Sequence, residues 1–398
     1  MTIKKGRRFK AACFTLEGVG SFSVSFYFYY VYFLMRDHFG FDGKHNLAFA
    51  ALIGLIYVFS AWQAGRFAHR CGYFTALKVG FLMMILSLAV GAQLGSASGI
   101  VLASAFFTVG QCFLWPTIEA LVSEGEDAEG LPRAVGTYNV VWASTNALGL
   151  FVGGTLVETF GFGVLFYLPI ALLLTQLALT LWLERHVQGQ AAASNQPPAP
   201  APSPDPNRPS PAKARAFLWM AWLANPFAYI AINTFVPLLP SLAARFQLTP
   251  MQAGFVCSLW GFVRLATFFG LWFWNGWHYR FRWLVTAYAA LIIVFILILT
   301  APNLAVLLAA QVFFGIAIGL IYYSSLFYSM DASETKSEHG GIHEAALGAG
   351  NFAGPAVGAV SLQFFPNVAY SSVMAVSGLL SLGFVALLAI QWYSRSRR

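Results

Sequence analysis

The chain has 398 residues, of which 58% are hydrophobic and only 10% charged, with a net charge of +8, and its mean hydropathy is +0.67. That balance excludes an ordinary soluble domain, in which about a quarter of the residues are charged, and describes an integral membrane protein. Strand-type alternation over short segments is absent, so a membrane barrel is excluded and an all-α fold is expected.

Along the chain, twelve apolar segments are long enough to cross the roughly 30 Å hydrocarbon layer as helices. They fall at 11–35, 46–67, 73–95, 98–122, 134–158, 162–183, 216–244, 250–274, 283–301, 303–330, 341–364 and 370–393. Basic residues accumulate in cytoplasmic loops, which sets the orientation. With both termini cytoplasmic, 19 of the 23 Lys and Arg fall inside, only Arg36, Lys44 and Arg245 outside, and Arg264 within the membrane. Topology and anionic lipid head groups then account for the net charge, and nucleic-acid binding has no place.

The first segment follows a basic stretch, is about 25 residues long and lacks a small-residue cleavage site, so it reads as a retained helix rather than a signal peptide. Glu17, Ser21, Ser25, Phe28 and Tyr32 recur at intervals of three or four and form one face of it. Ionising Glu17 at that depth costs desolvation free energy unless a cation is near. It is therefore a candidate proton carrier, a structural partner of Arg264, or a carboxyl facing a watery cavity. The aromatic run Phe26 to Phe33 near the far end of this helix reads as an interfacial belt.

Helix 4 carries Trp115-Pro116 and, toward its cytoplasmic end, Glu119; helix 5 carries Asn139 and Trp142. Between helices 6 and 7, residues 186–215 contain Gln-Pro-Pro-Ala-Pro-Ala-Pro-Ser-Pro, a composition that builds no core and behaves as a tether. Three units follow: a six-helix bundle at 1–185, the linker at 186–215 and a second bundle at 216–398. Helix 7 offers Asn225, Tyr229 and Asn233 at intervals of four. Helix 8 holds Arg264 near the middle of an otherwise apolar run from Met251 to Trp274, where an ionisable side chain must face protein or a watery cavity and marks a functional site. Trp260 on helix 8 and Tyr322-Tyr323 on helix 10 lie away from the helix ends, and converging aromatics would suit an amphiphilic or aromatic solute.

At the start of helix 11, His339, His343 and Glu344 cluster, but Gly340-Gly341 interrupts the helix and the H-E-x-x-H order of zinc hydrolases is missing, so no metal site is expected. His343 and Glu344 form a proton relay or cytoplasmic gate, or stay solvated in a loop. Cys13, Cys71, Cys112 and Cys257 are scattered singly, with no metal spacing or disulfide framework.

The halves repeat at an offset of 205 residues, which carries Gly136, Asn139, Asn146, Gly149 and Gly153 to Gly341, Glu344, Asn351, Gly354 and Gly358, and Gly65 to Gly270. Glycines four apart at 149 and 153, and at 354 and 358, let another helix approach closely and could also form a sliding surface between the halves. Pro355 removes one backbone donor and is expected to bend helix 11.

Twelve helices, a repeat of six and six, and the turn Gly65-Arg66-Phe67-Ala68-His69-Arg70-Cys71-Gly72 after helix 2 resemble the major facilitator superfamily. Gly65, Arg70 and Gly72 match the family's turn, whereas His69 stands where the family has an acid. The resemblance implies a fold of two pseudo-symmetric six-helix bundles, a latch at this turn that His69 alters, and a cavity lined by helices 1, 4, 7 and 10. It covers the chain outside the linker. Helix 5 has Gly149-Leu150 and Gly153-Gly154 without the proline of the family's antiporter pattern, whereas helix 11 has Gly354-Pro355.

The function expected is secondary active transport of a small solute by alternating access, coupled to protons, with Glu17, Ser21, Asn139, Trp142, Asn225, Tyr229, Asn233, Arg264, Tyr322 and Asn351 as substrate or coupling residues. Gating falls to Gly65, His69, Arg70, Gly72, His343 and Glu344. An uncoupled facilitator, or a receptor or intramembrane enzyme, are the rivals. Catalysis would call for a nucleophile with a base, and no such constellation stands out. No Gly-rich loop followed by Lys and Ser or Thr is present, so neither ATP nor another cofactor is expected. The other expected partners are protons and membrane lipid, with the chain a monomer in a bacterial cytoplasmic membrane.

Overall fold

The structure, a computed structural model, describes residues 7–124, 126, 130–191, 210–332 and 336–396. The side chains of 7, 131–132, 187–191, 330–332 and 336–345 lie outside the description, and so does most of the expected linker. Among the described residues there are twelve long helices and no strand. They are α1 (Arg7–Phe39), α2 (Gly43–Cys71), α3 (Tyr73–Gly91), α4 (Ala97–Ser123), α5 (Gly130–Phe160) and α6 (Val164–Ala191). The second six are α7 (Pro211–Arg245), α8 (Pro250–Phe273), α9 (Phe281–Thr300), α10 (Leu304–Ala332), α11 (Lys336–Phe364) and α12 (Ser371–Ser396). Ten are long and apolar enough to cross a membrane; α1, which interleaves Ser and Tyr with its apolar residues, and the more polar α11 fall outside that set.

The contacts of the first six helices recur in the second six. Helix α1 packs on α5 and α6, as α7 does on α11 and α12; α3 packs on α4 and α6, as α9 does on α10 and α12. Between the sets, α2 meets α11 and α8 meets α5, the same pair of contacts with the sets exchanged. Two pseudo-symmetric bundles result. In α7, 72% of the most apolar window is buried, against 33% in α6 and α12, so α7 is central and the other two face outward. Phe59, Leu86, Phe273, Leu382 and Trp392 are exposed on the perimeter, a surface suited to hydrocarbon rather than water.

Prolines explain the breaks in α4 and α7. Pro116 has no N–H to give the carbonyl of Cys112 and its ring crowds that carbonyl, and α4 loosens into turns there, with Phe113 N–H bonding Gly110 and Leu114 N–H bonding Gln111. Pro237 and Pro240 accompany a 3₁₀ turn at Val236–Leu238 in α7. In α11, Pro355 likewise leaves the carbonyl of Asn351 without its helical donor.

Helix α2 comes closest to α11 at that carbonyl: a Cβ placed on Gly54 would lie 2.5 Å from the Asn351 carbonyl carbon and oxygen. Backbone cannot step aside as a side chain can. Gly54→Val is therefore expected to lower stability by about 1–3 kcal/mol, the range for overpacking, read as a drop in the thermal unfolding temperature in detergent. An unchanged midpoint would show that the two helices separate freely.

The aromatic run of α1 is a correction to the sequence reading. Phe26, Tyr27, Tyr29, Tyr30, Tyr32 and Phe33 are all buried in the core rather than arrayed at a membrane interface. Their hydroxyls explain why burial is tolerated: Tyr27 bonds Ser104 of α4 at 2.7 Å, Tyr29 donates to Asn146 Oδ1 at 2.8 Å, and Tyr30 donates to the Leu150 carbonyl at 2.5 Å.

The start of α1 and the end of α12 share one face, here the terminal face. There Lys10 pairs with Glu126, and Lys78 of α3 with Glu184 of α6 at 2.9 Å. On the opposite, distal face three bonds join the bundles. Arg36 Nη1 donates to the Pro240 carbonyl at 2.5 Å, Lys44 to Gln363 at 3.2 Å, and Met251 N–H to Glu158 Oε1 at 2.8 Å.

Candidate functional site

A cavity of about 180 Å³ lies between the bundles, walled by α1, α2, α4, α5, α7, α8 and α11. Its first-bundle wall includes Ser25, Phe28, Tyr29 and Tyr32 of α1, Tyr57 of α2, Gln111 of α4, and Trp142 and Asn146 of α5. Tyr229 and Asn233 of α7, Trp260 and Arg264 of α8, and Asn351 of α11 face them. A second pocket, of about 210 Å³, opens at the terminal face between Lys213, Phe217, Tyr279 and Arg395, within the second bundle and away from the contact between the two.

Among the described residues Arg264 is the one charged residue of the cavity wall, and it is 2% exposed. Glycines bring it there. A Cβ on Gly261 would lie 3.0 Å from Ala147 Cβ, and one on Gly315 of α10 would lie 2.5 Å from the Trp260 carbonyl, so α8 is held closely between α5 and α10. The guanidinium carbon lies over two indole rings, 4.5 Å from the centroid of Trp142 and 5.0 Å from that of Trp260. Such contacts contribute roughly 0.5–2 kcal/mol each, depending on desolvation. Nη2 donates to Asn146 Oδ1 at 3.0 Å, whereas Nε has no partner among the described residues. No carboxylate pairs with Arg264 among the described residues. The charge is thus held by ring faces and one neutral amide, with a donor edge left over.

Asn146 ties three helices together. Its Oδ1 accepts from Tyr29 of α1 and from Arg264 of α8, and its Nδ2 donates to Ser25 at 2.5 Å. Its repeat equivalent Asn351 accepts from Asn233 of α7 at 2.8 Å. The repeat places an asparagine of α5 or α11 against α1 or α7 in each wall, but Arg264 has only exposed Phe59 as its counterpart at the 205-residue offset. Symmetry breaks at the charge.

Toward the terminal face a ring stack lies beside the cavity. Trp142 stacks on Tyr322 of α10, with centroids 5.2 Å apart and 19° between planes, and Tyr322 stacks on Phe268 of α8 at 5.7 Å and 25°. The stack joins the two bundles on the side of the cavity away from the distal bonds.

Of the residues singled out from sequence, Trp142, Tyr229, Asn233, Arg264 and Asn351 are brought together in the wall, and Tyr322 lies behind Trp142. Glu17, Ser21, Asn139 and Asn225 are buried but outside the lining. Ser21 Oγ donates to Glu17 Oε1 at 2.6 Å, and Asn139 Nδ2 to the Val135 carbonyl at 2.7 Å. Sequence reasoning did not single out Tyr29, Tyr57 or Gln111 for the site. A lone neutral polar residue in a helix gives little signal, and only the offset to Asn351 pointed to Asn146.

The turn after α2 exposes His69 and Arg70, and Gly72 takes a φ of 90°, a conformation that favours glycine. Gly65 faces open space. The side chains of His343 and Glu344 lie outside the described residues. Gly149 and Gly153 pack α5 onto α1, against Ser25, Phe26 and Tyr30, and Gly354 packs α11 onto α7 at Ile230 and Thr234. These contacts are within bundles. Contacts across them include those of Gly154, Gly254 and Gly261 between α5 and α8, and of Gly54, Gly348 and Gly358 between α2 and α11.

Cys13, Cys112 and Cys257 are buried and Cys71 exposed, and no disulfide joins any two of them. Among the described residues no three His, Cys, Asp or Glu stand together where they could hold a metal ion.

In comparison with solved structures, the chain is 15% identical to a peptide transporter, POT, in complex with sulfate, with a TM-score of 0.73 over 99% of this chain and 97% of that one. It is 15% identical to the nucleoside transporter NupG, with a TM-score of 0.68 over 96% and 99% of the two chains. The same identity, with a TM-score of 0.66 over 96% and 99%, relates it to the human organic anion transporter TETRAN. At this identity the likeness is one of fold. No curated protein matches the chain in sequence. Residues 18–340 match the Major Facilitator Superfamily. With that match over most of the chain, and with two pseudo-symmetric bundles around a central cavity, the protein belongs to the Major Facilitator Superfamily and is a multi-pass membrane transporter.

Proposed function

We propose that the protein is a secondary active transporter that binds a small solute against Arg264 and carries it across the membrane by alternating access, driven by protons. The observation that carries this reading is a desolvated guanidinium, without a carboxylate partner among the described residues, in the wall of the cavity between the bundles. A permanent structural charge would be expected to have an acid beside it, whereas a binding charge keeps donors for an incoming group. In this reading residues 1–185 and 216–398 rock as two units about that cavity, joined by the 186–215 linker. The distal bonds of Arg36, Lys44 and Glu158 close one side and must part when the cavity opens there. The termini face the cytoplasm of a bacterial cell, in keeping with the bias of Lys and Arg.

Coupling is assigned to Glu17, a buried carboxyl on the same helix as the α1 part of the wall. Its place outside the lining favours one rival, a facilitator of the same fold that moves solute without protons. Proteoliposomes distinguish them: counterflow of labelled solute is expected under either reading, and accumulation against a gradient when a pH difference is imposed only under the coupled one. Absence of counterflow for every solute that binds would defeat the transport reading.

A further inference from the structure

Resting on the transport reading above, we propose that the solute is an organic monoanion with a planar apolar body and no ammonium group. The charge follows from the wall. Among the described residues Arg264 is its one charge, and no Asp or Glu of them lines the cavity. Two donors there are buried without partners, Arg264 Nε and Trp260 Nε1, on side chains 2% and 1% exposed. Buried donors without acceptors are costly, and a carboxylate or similar oxyanion supplies acceptors to both while neutralising the guanidinium.

A zwitterion fits poorly for a separate reason. Its ammonium would enter a wall of Tyr, Trp, Asn and Gln with no carboxylate among the described residues to receive it, and burying an unpaired charge is expensive. Aromatic faces bind ammonium groups elsewhere, but here Arg264 already lies over the indoles of Trp142 and Trp260, and its like charge repels a second cation. An uncharged solute would leave the guanidinium without a counter-charge.

The body follows from the rest of the lining. Phe28, Tyr32, Tyr57 and Tyr229 present ring surface, and the volume of about 180 Å³ is that of one small solute. It lies below the roughly 300–1,000 Å³ usual for drug-sized ligands. Gln111 Oε1 is buried in the same wall without a partner, so one hydrogen-bond donor on that body, such as a hydroxyl, would be satisfied there.

The test uses the purified full chain in detergent with four probes: 3-phenylpropionate, L-phenylalanine, 3-phenylpropionamide and butyrate. The second adds an ammonium to the first, the third removes its charge and the fourth removes its ring. Titration calorimetry and thermal unfolding are expected to show 3-phenylpropionate binding and stabilising the fold, with each of the others weaker by roughly tenfold or more. Trp260→Phe, which keeps a ring and deletes one donor, is expected to weaken that binding by about tenfold. Binding of L-phenylalanine, the amide or butyrate as tight as that of 3-phenylpropionate overturns the proposal, and so does the absence of binding by either anion. The expected order of affinities without counterflow of 3-phenylpropionate leaves the solute class standing and defeats transport. Counterflow that prefers L-phenylalanine does the reverse.

Discussion

Replacing Arg264 with alanine is expected to weaken solute binding by about 10- to 100-fold, the equivalent of the roughly 1.5–3 kcal/mol carried by a hydrogen bond to a charged group. Insertion and yield should stay near those of the parent. Truncating one member of a buried ion pair strands the other charge, which is why such changes usually unfold proteins. Here no acid among the described residues is stranded, and Asn146 Oδ1 keeps its bond from Tyr29. The vacated space adjoins a cavity already present, and the change also removes an unpartnered Nε. Arg264→Lys retains the charge and loses the planar fork, so its affinity should fall between those of the parent and Arg264→Ala. Calorimetry on the two variants, beside their yields of monodisperse protein, checks this. Parent-like affinity in both places the solute elsewhere; collapse of both proteins makes Arg264 structural.

Glu17→Gln is expected to abolish accumulation of solute against its gradient while counterflow continues. The side chain is 2% exposed and accepts from Ser21 Oγ at 2.6 Å. The amide keeps the size and that acceptor but cannot exchange a proton, so a loss confined to the pH-driven mode identifies the carboxyl as the carrier. Measured in proteoliposomes, unchanged pH-driven uptake excludes Glu17. Loss of both modes makes it part of the bundle's architecture instead.

The fold was legible because span length and hydropathy are one-dimensional properties: each of the twelve segments reappears as a helix. Ends were harder, since α1 begins at Arg7 rather than at 11 and α11 at Lys336 rather than at 341. Helices continue past the hydrocarbon where polar residues no longer reveal them. Arg264 was legible for the opposite reason, because a charge at that depth has few bland explanations. The stripe on α1 shows where reading by face fails. Glu17 and Ser21 share it with Ser25, Phe28 and Tyr32, yet the cavity is lined only from Val24 onward. Periodicity gives the face of a helix and not the depth at which a cavity begins; the same holds for Asn225 against Asn233 on α7. The belt assigned to the tyrosines of α1 failed because their tolerance for interfaces and for satisfied burial looks identical in sequence.

Those tyrosines also limit how α1 can move. Within six residues, Ser25, Tyr27, Tyr29 and Tyr30 bond to α4 and to two successive turns of α5. A rod pinned to two neighbours at several heights loses its freedom to roll about its axis or to slide along it. Motion of α1 must then carry α4 and α5 with it, as one lever. The cavity wall and the distal contact at Arg36 lie on that same rod, 7 residues beyond Tyr29. Displacement at the solute is therefore delivered to the distal seal with little lost to bending in between.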